Sequence, residues 1–312
     1  MKKKEHVPVL LDSVLEGLNI QSCGCYVDGT FGRGGHSSAI LKLLKAQGRL
    51  LALDRDPQAI AQIDAALQHD PRFELVQGEF AELKKYAAER KLLGKVDGLL
   101  LDLGVSSPQL DEATRGFSFQ ADGPLDMRMD PGSGISAAAW LEQVDEEDLK
   151  KVLAQLGEER FAGRIARAIV AARVQTPIRT TLALADIVKS VVRGRRRNPA
   201  TKTFQAIRIF VNNELGQLEQ ALAASLALLR PGGRLCVISF HSLEDRRVKR
   251  FMRDASLVPA QFRGLPEIPQ EFRPRLKLIG KAVIANEEEI AANVRARSAR
   301  LRIAERLSWR CA

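Results

Sequence analysis

The amino-acid sequence predicts a doubly wound α/β fold, in which helices cover both faces of a mainly parallel sheet, with an all-helical domain inserted into it. Short, nearly continuous apolar runs alternate with helical patterns up to about residue 104, which is typical of parallel strands buried on both faces. Helical patterns alone follow, and an apolar run at 235–240 resumes the strand pattern. We therefore expect a first sheet-forming segment at 1–109, a helical, substrate-binding insertion at 110–202, and a second sheet-forming segment with a basic tail at 203–312.

The predicted elements follow this division. In the first segment the candidate strands are 25–28, 49–54, 73–77 and 96–103, and the candidate helices are 37–46, 57–67 and 80–91. A loop rich in Gly, Pro, Ser and Asp then runs from 105 to about 129, a length that is unusual unless the loop has a function. Candidate helices follow at 137–140, 146–156, 160–172, 181–192 and 203–229, then a turn at 230–233 and strands at 235–240 and 276–279.

Composition excludes several classes of protein. The chain has 312 residues, of which 45% are hydrophobic, so it can bury a sizeable core and is not globally disordered. It contains no apolar run of membrane-spanning length, and no apolar core follows its lysine-rich start as a signal peptide requires. The four cysteines do not form the pattern of a disulfide framework or a zinc site. We expect a cytoplasmic protein with reduced thiols and no metal.

The charge balance points to a polyanionic partner. The net charge is +10, from 48 basic and 38 acidic residues, which favours RNA or DNA over a membrane surface. Aromatic residues make up 5% of the chain, so a long stacking platform for single strands is not expected.

A glycine-rich turn predicts a nucleotide-cofactor site. Glycines in the run 29–35 let the backbone turn tightly and approach a ligand, and a helix beginning at about Gly34 would offer N–H groups and a positive dipole end. Asp54 lies about 20 residues further on, where such folds place the carboxylate that binds ribose hydroxyls.

Other residues favour S-adenosylmethionine as the cofactor. The glycines are bunched rather than spaced as in dinucleotide-binding turns, and Asp28 precedes them. Phe80 could supply apolar surface for adenine, or equally be a core aromatic that opens a helix. Asp102, at the end of the clearest buried strand, could bind the cofactor amine. A NAD-linked oxidoreductase on the same half-fold remains an alternative.

The segment 102–109 is the candidate acceptor loop. Ser106, Ser107 and Pro108 could present carbonyls and hydroxyls to an exocyclic amine, and Gln109 could donate or accept a hydrogen bond nearby. The alternative is an ordinary Ser-Pro turn. Asp102 at the ligand edge of a strand favours the functional interpretation.

Taken together, the motifs resemble the ribosomal small-subunit RNA methyltransferase H (MraW) family. The matching segments are HVPVLL at 6–11, DGTFGRGGHS at 28–37, DRDP at 54–57, LDLGVSSPQ at 101–109, RGFSF at 115–119, GPLDMRMD at 123–130, GEERF at 157–161, TFQAIRI at 203–209 and SFHSLEDR at 239–246. They span nearly the whole chain, and no departure occurs at the expected cofactor positions.

The resemblance implies a Rossmann-like class I methyltransferase sheet and S-adenosylmethionine-dependent methylation of the exocyclic N4 of a cytosine in 16S ribosomal RNA. It implies a partner in 16S RNA or the small ribosomal subunit, and a monomer or homodimer. The implied cofactor positions are Gly34, Gly35, His36, Asp54, Phe80, Asp102 and Gln109. The implied catalytic residues are Asp102, Ser106, Ser107 and Pro108. A non-enzymatic RNA-binding ribosome-assembly factor is the remaining rival.

Substrate contacts are predicted at three further places. Asp126 and Arg128 could contact a base or backbone, or form a salt-bridged turn. His241 ends a strand at the ligand edge and could contact substrate, or cap the following helix. The basic residues Arg195, Arg196 and Arg197 suit phosphate contacts, although a solvated basic loop would have the same sequence.

Overall fold

The structure is a computed structural model that describes residues 8–192, 198–262 and 264–308. It divides into two compact units. The first combines the segment that ends at Gly104 with the segment that begins at Gly216, and the second is Val105–Leu215. The insertion predicted at 110–202 falls within the second unit, whose edges lie at Val105 and Leu215.

The described residues of the first unit form a seven-stranded sheet. Its strands are β1 (Cys25–Asp28), β2 (Arg49–Asp54), β3 (Phe73–Gln77), β4 (Val96–Asp102), β5 (Leu229–Ser239), β6 (Leu276–Ile284) and β7 (Arg300–Arg306). The order across the sheet is β3-β2-β1-β4-β5-β7-β6. Strands β1 to β5 are parallel, and β7 runs antiparallel between β5 and β6. The predicted parallel sheet is confirmed, with an antiparallel pair added at one edge.

The helices in chain order are α1 (Leu11–Leu18), α2 (Gly35–Leu43), α3 (Pro57–Ala61), α4 (Ala65–Gln68), α5 (Leu83–Glu89), α6 (Ser107–Asp111), α7 (Ala137–Gln143), α8 (Glu146–Gly157), α9 (Ala162–Gln175), α10 (Thr181–Val191), α11 (Ala200–Val211), α12 (Glu214–Leu228), α13 (Ser242–Ser256) and α14 (Glu287–Ala292). Helices α6 to α11 belong to the second unit. Among the described residues, no helix has both the length and the apolar character needed to cross a membrane.

The sheet of the first unit is buried on both faces, as β4 demonstrates. Leu99 and Leu101 pack into one core with residues of α5, α12 and α13. Leu100, between them, packs into the opposite core with residues of α1 and α2. Successive side chains of a strand point to opposite faces, so a strand with apolar residues at every position needs a core on each side. The doubly wound α/β class is confirmed.

The second unit has a hydrophobic core of its own. Buried side chains from α7 to α11 contribute to it, together with Phe117, Leu125 and Met127 from the segment before α7. Its helices start at ordinary caps: the side chains of Ser136, Asp145 and Thr180 accept backbone hydrogen bonds at the starts of α7, α8 and α10.

Several sequence predictions about helices are wrong. The segment 105–129 is not a structureless loop, because it contains α6 and a 3₁₀ turn at Ala113–Arg115. The predicted helix 57–67 is two short helices, since Asp64 caps a new start by accepting from Ala66 N. The predicted helix 203–229 also divides in two, because Asn213 adopts a left-handed conformation with φ of 47° and ends the first part.

At the sheet edge, the predictions missed β7 and misjudged the turn at 230–233. Those residues lie inside the span of β5, as an irregularity in its pairing with β4. Strand β7 lies in the segment for which the sequence predicted only a basic tail. Cys23, Cys25 and Cys236 are free thiols.

Candidate active site

Three acidic residues end three neighbouring strands of the sheet. Asp28 ends β1, Asp54 ends β2 and Asp102 ends β4, and β1 lies between the other two. Because the strands are parallel, these carboxyl groups lie at one edge of the sheet, where open α/β sheets bind their ligands. The sequence predicted this placement for Asp54 and Asp102.

Asp28 and Thr30 connect the three elements that meet at this edge. The Oδ1 atom of Asp28 accepts hydrogen bonds from the N–H and Oγ1 of Thr30, at 3.1 and 3.4 Å. The Thr30 Oγ1 in turn accepts from the N–H of Asp102 at 2.6 Å. On the other side, Ser37 Oγ donates to Asp28 Oδ2 at 2.7 Å. The end of β1, the end of β4 and the first turn of α2 are thus held together by side-chain hydrogen bonds.

The glycine-rich turn leads into α2 as predicted. Gly34 has a φ of +72°, immediately precedes α2, and provides no side-chain cap for it. A Cβ at this position would lie 2.7 Å from the Phe31 ring, and one at Gly35 would overlap the Pro8 ring. Close packing therefore excludes side chains from both positions, and the start of α2 presents bare backbone.

Asp54 accepts one backbone hydrogen bond on each carboxyl oxygen. Gly32 N donates to Oδ2 at 2.7 Å, and Asp56 N donates to Oδ1 at 2.8 Å. Burial raises the pKa of Asp54 to about 6, although these two hydrogen bonds oppose the shift. The carboxylate is therefore ionised at neutral pH, and each oxygen has a second lone pair with which to accept a ligand hydroxyl.

The side chains of His36 and Asp102 form a close pair, in which His36 is buried and Asp102 is partly exposed. The Nε2 of His36 lies 3.5 Å from Oδ2 of Asp102. Among the described residues, neither nitrogen of His36 nor Oδ1 of Asp102 has a hydrogen-bond partner. Burial lowers the pKa of His36, so its imidazole is neutral. Desolvation and the nearby Asp28 and Glu244 carboxylates raise the pKa of Asp102 well above its usual value. A bound ammonium group could donate to Oδ1 of Asp102 and to the unprotonated nitrogen of His36, and its positive charge would offset the repulsion among the carboxylates.

Phe80 follows β3 and opens a 3₁₀ turn, Phe80–Glu82. It is partly buried and packs against the core that α5, α12 and α13 cover. This packing agrees with the core interpretation of Phe80, and contact with an adenine ring stays a prediction.

The predicted acceptor residues lie in the second unit. Ser106 immediately precedes α6, and its N–H donates to Oε1 of the buried Gln109 at 2.9 Å. Ser107 and Pro108 form the first turn of α6. The Ser-Pro turn considered from the sequence is therefore a helix start, and the catalytic and cofactor roles of these four residues stay predictions.

Asp126 and Arg128 form the salt-bridged turn that the sequence allowed. Arg128 Nε and Nη2 donate to the two carboxyl oxygens of Asp126, each at 2.8 Å. Asn212, which the sequence did not single out, fixes the intervening backbone: its Oδ1 accepts from Met129 N at 2.8 Å and its Nδ2 donates to Met127 O at 2.7 Å.

His241 has an observed capping role. Its Nδ1 accepts from Glu244 N at 3.4 Å at the start of α13, and Glu244 Oε2 accepts from Phe240 N at 2.8 Å. Of the two roles that the sequence allowed for His241, the structure shows helix capping, and contact with substrate stays a prediction. Arg195, Arg196 and Arg197 lie outside the described residues.

Sequence reasoning missed Thr30, Ser37 and Glu244. The turn at Thr30 carried a local signal, since an aspartate side chain commonly accepts from the backbone N–H two residues on, as Asp28 does from Thr30. Glu244 also carried one, because it stands three residues after the helix cap, as in a capping box. Ser37 carried none that distinguishes it from Ser38.

Comparison with known proteins shows that the model of the MraW methylase family matches residues 3–307 of the chain. Among solved structures, a candidate rRNA methylase from Clostridium thermocellum is 13% identical with a TM-score of 0.45, and the alignment covers 97% of this chain and 98% of that one. An rRNA methylase from Streptococcus thermophilus is 12% identical with a TM-score of 0.43 and 99% of each chain covered. A candidate methyltransferase from Streptococcus mutans, solved in complex with SAH, is 11% identical with a TM-score of 0.44, covering 97% of this chain and all (100%) of that one.

Proposed function

The chain belongs to the MraW methylase family, and on that premise we propose that it methylates the exocyclic N4 of a cytosine in 16S ribosomal RNA. The methyl donor is S-adenosylmethionine, whose sulfonium carries an activated methyl group. The observation that carries the proposal is the His36–Asp102 pair, with its unpartnered buried atoms, at the sheet edge beside the glycine turn and Asp54.

The residues at this edge suit the parts of the donor. Bare backbone at the start of α2, from Gly34 and Gly35, suits the carboxylate of its amino-acid end. Asp102, with His36 beside it, suits the ammonium group, because a cation there would relieve the clustering of carboxylates. Asp54 suits the ribose hydroxyls, and the exposed side of Phe80 suits adenine. By family resemblance, Gln109 is the remaining candidate residue for binding the cofactor.

The remaining catalytic task is to bind and orient the acceptor nitrogen. The lone pair of cytosine N4 is delocalised into the ring, so attack requires the nitrogen to become more tetrahedral and to gain positive charge. Acceptors that hold the amine more strongly in that state lower the barrier. We assign this role to backbone carbonyls around Ser106 and Ser107, with a water molecule or a nearby carboxylate taking the proton that leaves N4.

The RNA target must present its base unpaired. A cytosine inside a helix hides its N4, so the base has to be unstacked before it can enter a pocket. The positive net charge of +10 favours binding of the RNA backbone, and Asp126, Arg128 and His241 are candidates for contacts around the flipped base.

Methyl transfer to small-subunit RNA tests the proposal directly. Purified protein is incubated with labelled S-adenosylmethionine and RNA that lacks the modification, supplied either naked or as assembled subunits. Mass spectrometry of the digested RNA should show N4-methylcytidine, and Asp102→Asn should abolish it.

Two rivals predict other results. An assembly factor would bind the RNA equally well with and without Asp102 and transfer no label. An oxidoreductase would bind NAD and not S-adenosylmethionine. Methyl groups found on another atom or another RNA would overturn the proposed specificity and leave the methylase activity standing.

A further inference from the structure

A cleft between α12 and α13 lies on one face of the sheet, away from the residues discussed so far. Its volume is about 330 Å³. Leu222, Phe251 and Ala255 give it an apolar lining, and Arg247, Arg250 and Arg275 contribute three guanidinium groups. We call it the arginine cleft.

The two carboxylates that line the arginine cleft are already engaged by arginines. Glu219 Oε1 accepts from Arg247 Nε at 2.9 Å. Asp254 Oδ1 accepts from Arg253 Nε and Nη2 at 3.0 and 2.9 Å. Within the described parts of the chain, Arg250 and Arg275 are both exposed and have no ion pair. The cleft therefore carries surplus positive charge.

Arg306 adds a third cation that lacks a carboxylate partner among the described residues. Its guanidinium donates to the carbonyl oxygens of Leu226 and Arg275, at 3.2 and 3.0 Å. Desolvation and the neighbouring charge of Arg275 lower the pKa of Arg306. Arg306 does not line the cleft, but its charge lies close to that of Arg275, and an anion bound at Arg275 would offset their repulsion.

We propose that the arginine cleft binds a phosphate of the RNA backbone, with Arg250 and Arg275 as its contacts; this inference rests on the proposed function. The position of α13 favours RNA over a small free anion. The helix begins directly after β5, at the edge of the sheet that holds the candidate active site. At 1.5 Å per residue, Arg250 lies about 12 Å further along the helix, and Ala255, whose carbonyl oxygen accepts from Arg275 N, lies about 20 Å along it. A strand whose target base enters at that edge would place a phosphate in the cleft a few nucleotides away.

The lining of the cleft suits a nucleotide as well as a phosphate. Phe251 is partly buried beside the arginines and offers a face on which a ribose or base can pack. A contact of this kind positions the RNA without reading its sequence. It would anchor the substrate while the target base is unstacked.

Salt-dependent RNA binding tests the arginine cleft. Arg250→Gln, Arg275→Gln and the double variant are compared with Lys249→Gln, which removes the same charge from an exposed residue of α13 that does not line the cleft. Each lost phosphate contact should weaken binding and make the slope of log K against log salt shallower by about 0.7. Lys249→Gln should keep the wild-type slope. Glu219→Gln, which releases Arg247 from its carboxylate, should tighten binding.

Two results would overturn the inference. One is that the cleft variants keep the wild-type slope, or change it only as much as Lys249→Gln does. The other is that inorganic phosphate raises the melting temperature of the wild type but not of Arg275→Gln while RNA binding is unaffected, which would make the cleft a site for free anions. Methyl transfer by the wild type is measured in parallel. Transfer with unchanged slopes rejects only the cleft, whereas absence of transfer to any RNA rejects the proposed function.

Discussion

The hydroxyl of Ser37 donates a 2.7 Å hydrogen bond to Oδ2 of Asp28, and both side chains are fully buried. Ser37→Ala removes the donor and leaves a buried carboxylate oxygen without it. We expect a loss of about 1–3 kcal/mol in the free energy of unfolding and weaker cofactor binding, since Asp28 positions Thr30 and through it Asp102. Chemical denaturation and calorimetry measure the two effects.

The neighbouring serine supplies the control for that measurement. Ser38 Oγ donates to Gly34 O within the first turn of α2 at 2.7 Å and is only partly buried. Ser38→Ala should change stability by less than about 0.5 kcal/mol, as most substitutions away from buried networks do. Equal losses in the two variants would contradict the role given to Asp28.

Alanine substitutions at Gly34 and Gly94 should distinguish the cost of backbone strain from the cost of steric overlap. Both have left-handed conformations, with φ of +72° and +68°. A Cβ at Gly94 would meet nothing within 4 Å, whereas one at Gly34 would lie 2.7 Å from the Phe31 ring and 2.9 Å from Leu67 Cδ1. Gly94→Ala should cost about 1–2 kcal/mol from strain alone. Gly34→Ala should cost clearly more in thermal unfolding and should impair cofactor binding, which Gly94→Ala leaves intact.

Asp102→Asn should separate stability from function. Without a cation, the Asp102 carboxylate is disfavoured by desolvation and by Asp28 and Glu244, so its pKa in the folded state is raised. The stability penalty appears as the pH rises through the ordinary pKa of an aspartate, and the Asn variant avoids it. The stability of the variant relative to the wild type should therefore increase as the pH rises above 3.8, the ordinary pKa of an aspartate. It should bind S-adenosylmethionine about 10- to 100-fold more weakly, as expected for losing a charged hydrogen bond. Unchanged affinity in a titration would remove Asp102 from the site.

Asp54 gives a pH dependence with a defined window. Its pKa is about 6 in the folded protein against an ordinary value of 3.8. Between these values the folded state holds the proton more tightly than the unfolded state, so this group makes the protein less stable as pH rises, by up to about 3 kcal/mol. The melting temperature of Asp54→Asn minus that of the wild type should therefore increase from pH 4 to pH 7. The affinity of the wild type for S-adenosylmethionine should rise through pH 6, because the ionised carboxylate accepts the ribose hydroxyls. A flat difference across this range would contradict the burial of Asp54.

Asn212 should be essential to the second unit, unlike the asparagine beside it. It satisfies the backbone of Met127, which has a φ of 62°, and of Met129. Asn212→Ala should cost about 2–3 kcal/mol, since it leaves buried backbone groups unsatisfied. Asn213 occupies a left-handed position, so Asn213→Gly should be neutral within about 0.5 kcal/mol. Denaturation of both variants distinguishes these outcomes.

Local patterns predicted much of the sheet and its ligand edge. The bounds of β1, β2 and β3 follow from apolar runs between turn residues, and Asp54 and Asp102 stand at strand ends because parallel strands finish together. The sequence also carries a signal for β7, because Arg300, Arg302 and Glu305 alternate in part with buried Leu301 and Ala304.

Local sequence patterns could not predict the interactions between distant segments. Nothing in the sequence pairs Ser37 with Asp28 or places Thr30 against Asp102, because both contacts depend on where α2 and β4 lie in space. The break between α11 and α12 likewise depends on the left-handed conformation of one residue, Asn213. Asparagine permits that conformation but does not require it, so the sequence does not predict the break.

The antiparallel edge of the sheet constrains how the protein can be made. Strand β6 hydrogen-bonds to β7 and to no other described strand, and β7 follows it in the chain. A nascent chain must therefore carry β6 before its pairing partner has been synthesised. Until residues 300–306 leave the ribosome, β5 also has an open edge. An interrupted chain would present the unpaired strand β6 and the open edge of β5, and exposed strand edges of this kind pair with other chains and aggregate.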